Sequence, residues 1–263
     1  MTRRGRRVLA AYCAIVAVVA AGAWIALARS AGPLCPIGAY TTSMAGRTDD
    51  QIYNTRTAAQ AIDGAVILPG ETFSFNDAVG GWSADAGYRK APVSFSGELI
   101  RDWGGGVCQT STTLYNAALL AGMKIVERHR HYWPTTYVEP GRDAAVAFRN
   151  IDLRFTNPYP RPVRLSVEVR GSRLTIRLLS RYTPKVRYRI ATSVLGVNAP
   201  SRVTRVDPNL PAGRVHTVVT GAPGFDVEVL RIATSPAGQV KRELISRDIY
   251  PMLHDLVAVG GGP

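Results

Sequence analysis

The chain has 263 residues, 46% of them hydrophobic and 19% charged. That is enough apolar material for a sizeable core and too little charge for a disordered polyelectrolyte. Basic residues outnumber acidic ones 32 to 19, a formal charge of +13, while three cysteines exclude both a disulfide-stapled mini-protein and a four-cysteine zinc site.

The amino end reads first. Arg3, Arg4, Arg6 and Arg7 precede an unbroken apolar run from Val8 to Ala28, closed by Arg29. Twenty-one residues rising 1.5 Å each span about 30 Å, the thickness of one hydrocarbon core. The run therefore predicts a transmembrane helix over 8–28, with the basic stub in the cytoplasm and the bulk of the chain extracytoplasmic. A cleaved signal peptide ending at Ala26-Leu27-Ala28 is the rival reading. Either way residues 1–29 take five arginines out of the balance, leaving 27 basic against 19 acidic residues, or +8. Ten of those basic residues fall between Arg154 and Arg189, opposed only by Glu168. In that compartment nucleic acid is not the expected partner. An anionic cell envelope is the natural counter-charge, and a solvated strand face is the plainer alternative.

Residues 30–50 are rich in Gly, Pro, Ser and Thr and read as a linker. Asn54 to Ile62 reads as a helix capped by Asn54 and ended by Gly64. Ala65 to Leu68 and Glu71 to Asn76 read as short strands about a Pro69-Gly70 turn. Glycine-rich loops with short strands follow over 77–106. Thr110 to Ala121 gives the strongest helical pattern, with Leu114, Ala117, Ala118 and Ala121 at helical spacing. Lys124 to Arg128 reads as a strand. From Ala144 onward the period is two, clearest in Val163, Leu165, Val167 and Val169 and again in Leu174, Ile176 and Leu178. A boundary near Thr183–Pro184 separates a further Gly- and Pro-punctuated β pattern. The predicted organisation is a stub and anchor over 1–29, a linker over 30–50, a first domain over 51–185 and a β-rich domain over 186–263. The fold class so predicted is α+β: a β-rich domain with one prominent helix carrying a cysteine, then a small all-β C-terminal domain.

One constellation carries chemistry. Trp103-Gly104-Gly105-Gly106-Val107-Cys108-Gln109-Thr110-Ser111 runs straight into the strongest helical pattern. A cysteine at a helix amino terminus meets free N–H groups and the positive end of the dipole, which favour the thiolate. Main-chain N–H groups around Gly105, Gly106, Gln109 and Thr110 are candidates for holding an oxyanion or substrate. A nucleophile needs a base, and His129 and His131 share a face of an extended segment some twenty residues on. Asp143 is placed to orient whichever histidine serves. Against this stand an inert core thiol, a Cys35–Cys108 disulfide, and a zinc site on Cys108, His129 and His131. The nucleophile reading needs no metal and no cofactor.

These residues resemble the VanW family. The resembling motifs are Pro69-Gly70-Glu71-Thr72-Phe73-Ser74-Phe75-Asn76, Gly87-Tyr88 with Ala91-Pro92, Gly104-Gly105-Gly106-Val107-Cys108-Gln109 and Ser111-Thr112-Thr113-Leu114-Tyr115-Asn116-Ala117. They continue in Glu127-Arg128 with His131, Tyr137, Pro140-Gly141-Arg142-Asp143-Ala144, and Asp152-Leu153 with Phe155-Thr156-Asn157. The family's usual serine before Thr-Leu-Tyr is here Thr112. The tail from about residue 186 is similar to the G5-like β segment that often follows this domain. The resemblance implies a peptidoglycan L,D-transpeptidase in which Cys108 is the nucleophile and His131 the matching histidine, forming 3→3 cross-links between stem peptides. With water as acceptor it implies an L,D-carboxypeptidase. The alternative it leaves open is a non-catalytic cell-wall-binding or scaffold protein linked to glycopeptide resistance.

Overall fold

A computed structural model describes residues 33–95 and 98–262. The chain opens with strand β1 (Cys35–Ser43), followed by helix α1 (Asp49–Ile62), β2 (Val66–Ile67), β3 (Thr72–Ser74) and the five-residue helix α2 (Phe75–Val79). A hairpin of β4 (Lys90–Phe95) and β5 (Glu98–Trp103) leads into helix α3 (Val107–Leu120). Then come β6 (Lys124–Glu127), β7 (Arg154–Thr156), β8 (Val163–Arg170) and β9 (Arg173–Ser180). Six more strands complete the order: β10 (Arg187–Asn198), β11 (Arg202–Pro211), β12 (Val215–Val219), β13 (Gly224–Thr234), β14 (Val240–Tyr250) and β15 (Asp255–Gly262).

The strands assemble into five small sheets, ordered β1-β9-β8-β2, β3-β7-β6, β4-β5, β10-β13-β14 and β11-β15-β12. The pairs β2–β8, β8–β9, β3–β7, β7–β6, β4–β5, β10–β13, β13–β14 and β12–β15 are antiparallel, while β11 and β15 run parallel. The main core gathers Ile62 of α1, Leu114, Leu119 and Tyr115 of α3, Phe155 of β7, and Leu165, Leu174, Ile176 and Leu178 of β8 and β9. A smaller cluster of Val227, Val229 and Tyr250 lies between β13 and β14. Residues 36–263 form one compact unit.

Several sequence expectations need correction. The expected α+β fold built round one prominent helix is not what forms. The described residues are dominated by fifteen strands in five small sheets, and the cysteine-bearing helix is no longer than α1, each having fourteen residues. Nor is α3 an amphipathic helix with a single apolar stripe. Val107 and all residues from Gln109 to Leu119 are buried, Ser111, Thr112, Thr113 and Asn116 included. Its polar side chains bond to buried main-chain carbonyls, which lets them sit in a core. The expected anchor over 8–28 lies outside the described residues, and among the described residues no helix is long and apolar enough to cross a membrane. The segment read as a linker contains β1, which pairs with β9, and the start of α1. Helix α1 begins well before Asn54 because Thr48 and Gln51 form a capping box. The Thr48 hydroxyl accepts the Gln51 N–H at 3.3 Å, and Gln51 Oε1 accepts the Thr48 N–H at 3.1 Å.

Candidate active site

Helix α3 presents Cys108 as its second residue. Gly106 is the cap, at φ 113°, and a Cβ there would lie 2.3 Å from the Gln51 main-chain oxygen. Only glycine lets the chain turn into α3 so close against α1. Gly105 is equally confined, since a Cβ would meet the Pro92 oxygen at 2.6 Å. These glycines thus serve close packing of main chain on main chain. The Val107 N–H donates to Gly104 O and the Gln109 N–H to Gly106 O, each at 3.0 Å. The Gln109 side chain donates to Thr42 Oγ1 and Ser43 O. Thr110 Oγ1 donates to Thr55 O at 3.0 Å. Both side chains therefore tie α3 to β1 and α1.

His131, the candidate base, and Asp143, its candidate orienter, arrive on two short antiparallel segments. His129 and Ala145 form an isolated bridge, with the Ala145 N–H donating to His129 O at 2.8 Å. In that register His131 falls opposite Asp143. The polar side chains of α3 hold the second segment: Ser111 Oγ donates to Ala144 O at 2.6 Å, the Ala144 N–H donates to Thr112 Oγ1 at 2.9 Å, and Asn116 Nδ2 donates to Arg142 O at 2.7 Å. One helix thus fixes both the thiol and the strand that carries Asp143.

The three groups meet in series. Asp143 Oδ2 accepts the His131 main-chain N–H at 2.6 Å and lies 2.7 Å from His131 Nδ1. With Nδ1 engaged, Nε2 is the ring nitrogen left for the thiol, and His131 and Cys108 stand close enough for each to shift the other's ionisation. The Cys108 sulfur also lies 3.5 Å from Val146 O. This is the nucleophile–base–orienter order of cysteine and serine acyl-transfer enzymes.

The electrostatics favour an ion pair. Burial alone would raise the Cys108 pKa, but the hydrogen bond and positive charge of His131 outweigh it and pull the thiol below its ordinary value. Burial alone would lower His131, but its bonds to Asp143 and Cys108 push it up to about 9. Asp143 is held near 2, the His131 and Arg128 cations overcoming the penalty of its burial. Near neutral pH the site therefore sets an imidazolium against a carboxylate, with the Cys108 thiol shifted toward its thiolate form. The α3 dipole adds to the stabilisation of the thiolate.

His129 does not join this line. Its Nε2 lies 3.0 Å from Glu127 Oε1 and its side chain is 42% exposed. The alternative zinc site accordingly does not assemble: among the described residues no group of three His, Cys, Asp or Glu side chains is arranged to hold a metal. Cys35 and Cys108 are both free thiols. Other groups belong to the site without having been singled out as site residues from the sequence. The Tyr137 phenol is buried, and that burial together with the Cys108 charge raises its pKa and keeps it protonated. Arg128 Nη2 lies 3.1 Å from Asp143 Oδ1. Tyr250, from β14, donates its hydroxyl to the same carboxylate oxygen. Motif membership was the only sequence signal for Tyr137 and Arg128.

Comparison with known proteins matches residues 50–179 to the family described as VanW like protein. Residues 50–179 of this chain are thus a VanW-like segment. "Uncharacterized protein YoaR" of Bacillus subtilis (strain 168) is 41% identical over 144 residues, covering 55% of this chain and 48% of that protein. "Vancomycin B-type resistance protein VanW" of Enterococcus faecalis (strain ATCC 700802 / V583) is 26% identical over 180 residues, covering 64% of this chain and 65% of that protein. The chain thus spans about half to two thirds of the length of these curated relatives. Among solved structures, "IgA1 Protease G5 domain structure" covers 31% of this chain and 96% of that one, at 24% identity and a TM-score of 0.25.

Proposed function

We propose that this chain is a cell-wall-associated protein of the envelope, and that Cys108 catalyses acyl transfer on peptidoglycan stem peptides. The observation that carries the catalytic part is the Cys108–His131–Asp143 series at the start of α3. Support for the wall comes from the relative named for vancomycin resistance.

The chemistry follows from the pair. The Cys108 thiolate attacks the carbonyl carbon of the third residue of a tetrapeptide stem. A thioester forms as the amide bond to D-alanine breaks, and the His131 imidazolium gives its proton to the departing amine. A side-chain amine of a neighbouring stem then attacks the thioester. Its proton passes to His131, the C–S bond breaks, and a 3→3 cross-link remains. Water as acceptor gives hydrolysis instead. Asp143 holds the ring with Nε2 toward sulfur and stabilises its charge in both halves.

A second reading is favoured by one observation. Strands β8 and β9 carry Arg164, Arg170 and Arg173 outward, with the Arg170 side chain 87% exposed. Such a face suits an anionic wall polymer, so binding without catalysis is a coherent role. One experiment separates the two readings. Purified full-length protein is incubated with tetrapeptide muropeptides, and D-alanine release and the intact mass of the protein are followed. Catalysis predicts D-alanine release and an acyl adduct on Cys108, both lost in Cys108→Ala. Folded protein that binds sacculi yet shows neither result is a binding module.

A further inference from the structure

The orienting carboxylate is not held by the VanW segment alone. Asp143 gives one oxygen, Oδ2, to His131. Its other oxygen, Oδ1, accepts from Arg128 Nη2 at 3.1 Å and from the hydroxyl of Tyr250. Tyr250 is fully buried, and its oxygen also accepts the Gly141 N–H at 2.8 Å. Arg128 is itself gripped from β14, where its Nη1 donates to both oxygens of Asp248, at 2.7 and 2.6 Å. Ser246 Oγ donates to Asp248 Oδ2 at 2.9 Å. Asp248 and Tyr250 stand two residues apart on one strand and so point to the same face. The turn before Asp143 docks on this hairpin: at Gly141, φ 85°, a Cβ would lie 2.6 Å from Val229 of β13.

We infer that Tyr250 and Asp248 of β14 are positioning residues of the Cys108–His131–Asp143 site, Tyr250 acting on Asp143 directly and Asp248 through Arg128. The inference rests on the catalytic reading above and places part of the apparatus some 70 residues beyond the matched VanW segment, which ends at 179. The physical argument is one of rotation. A carboxylate held only by His131 turns about its Cβ–Cγ bond. With Oδ1 pinned by a phenol and a guanidinium, Oδ2 stays aimed at Nδ1, and the ring keeps Nε2 toward the sulfur. The two residues also tune the charge on Asp143 in opposite senses. The Tyr250 hydroxyl drains charge from the carboxylate. Asp248 neutralises Arg128, which would otherwise draw on Asp143 alone.

Those opposite senses supply the test. The His131 ring is titrated by NMR in full-length wild type, Tyr250→Phe and Asp248→Asn. Tyr250→Phe should raise the His131 midpoint and Asp248→Asn should lower it, each by about half a unit, roughly threefold in the protonation constant. Ser246→Ala removes a donor that drains charge from Asp248, so it should raise the midpoint slightly, and it keeps the test open if Asp248→Asn does not fold. Tyr159→Phe removes a hydroxyl bonded to Ala121 O, outside the site, and should leave the midpoint unmoved. Unchanged midpoints in Tyr250→Phe and Ser246→Ala, with lowered melting temperatures, would mean that β14 only cements the fold and would overturn the inference. The titration needs no substrate, so inactivity of the wild type toward muropeptides would sink the proposed function without touching this result. Where muropeptides are turned over, Tyr250→Phe should lower kcat with KM unchanged.

Discussion

His131 and Asp143 meet twice: the carboxylate oxygen Oδ2 accepts both the main-chain N–H and lies 2.7 Å from ring Nδ1 of the same histidine. A single oxygen thereby fixes the position of the residue and the orientation of its ring. The consequence reaches Cys108, because a ring tied at Nδ1 presents Nε2.

Asp143→Asn should therefore disable the site while leaving it assembled. An amide holds the ring less well and does not stabilise imidazolium, so acyl transfer should fall by about 10²–10⁴-fold, the range expected for loss of a triad orienter. Arg128 keeps Asp248, which limits the stability loss to about 1–3 kcal/mol, the cost of weakened buried hydrogen bonds. Steady-state kinetics and denaturant melts check the two effects separately.

The two histidines should behave unlike one another. His129 faces Glu127 and is 42% exposed, whereas the His131 side chain is 12% exposed and interacts electrostatically with Cys108. His129→Ala should leave the alkylation rate of Cys108 within about twofold, a change worth under 0.5 kcal/mol as expected of a surface substitution. His131→Ala should slow it sharply at pH 6. Equal effects in both variants would contradict the assignment of the base.

Stability should depend on pH through the same groups. The folded pKa of His131 is raised to about 9, so its contribution is complete below the ordinary value near 6.5 and is lost as pH rises through 9. Asp143 is depressed to about 2, so its contribution is complete above the ordinary value near 3.8 and is lost as pH falls through 2. Melting temperature against pH should thus fall on both sides of a plateau. In His131→Gln the alkaline fall between about 6.5 and 9 should flatten, those limits being the unfolded and folded midpoints.

Gly106→Ala should be costly away from any reacting atom. The new Cβ would sit 2.3 Å from Gln51 O with the backbone at φ 113°. Strain of this kind costs on the order of 1–3 kcal/mol, to which the clash with α1 adds. Chemical denaturation should show the loss, and thiol reactivity should change with it because Cys108 lies two residues on.

Part of this site is legible in the sequence. A glycine run leading into a helical pattern marks Cys108, and a histidine pair and an aspartate follow within reach. What is not legible is register. The 129–145 bridge sets 131 against 143, and nothing in either segment's composition specifies it. The hold of β14 on the site is hidden for a related reason: Arg128 and Asp248 stand 120 residues apart, and no local period links them. The helix that looks amphipathic is buried because Ser111, Thr112 and Asn116 spend their polarity on the 142–144 backbone. Strand β1 reads as linker in the sequence because Cys35–Ser43 carries little hydrophobic alternation, although β9 supplies its partner.

The most direct test of the central claim, an activated thiolate at Cys108, is the pH profile of its alkylation in the full-length protein, followed by intact mass with iodoacetamide. The account predicts an acid limb well below the midpoint of a free thiol, about 8.5, that moves back toward that value in His131→Gln. A wild-type limb at or above 8.5, unchanged by His131→Gln, would mean that Cys108 is an ordinary buried thiol and would contradict the account.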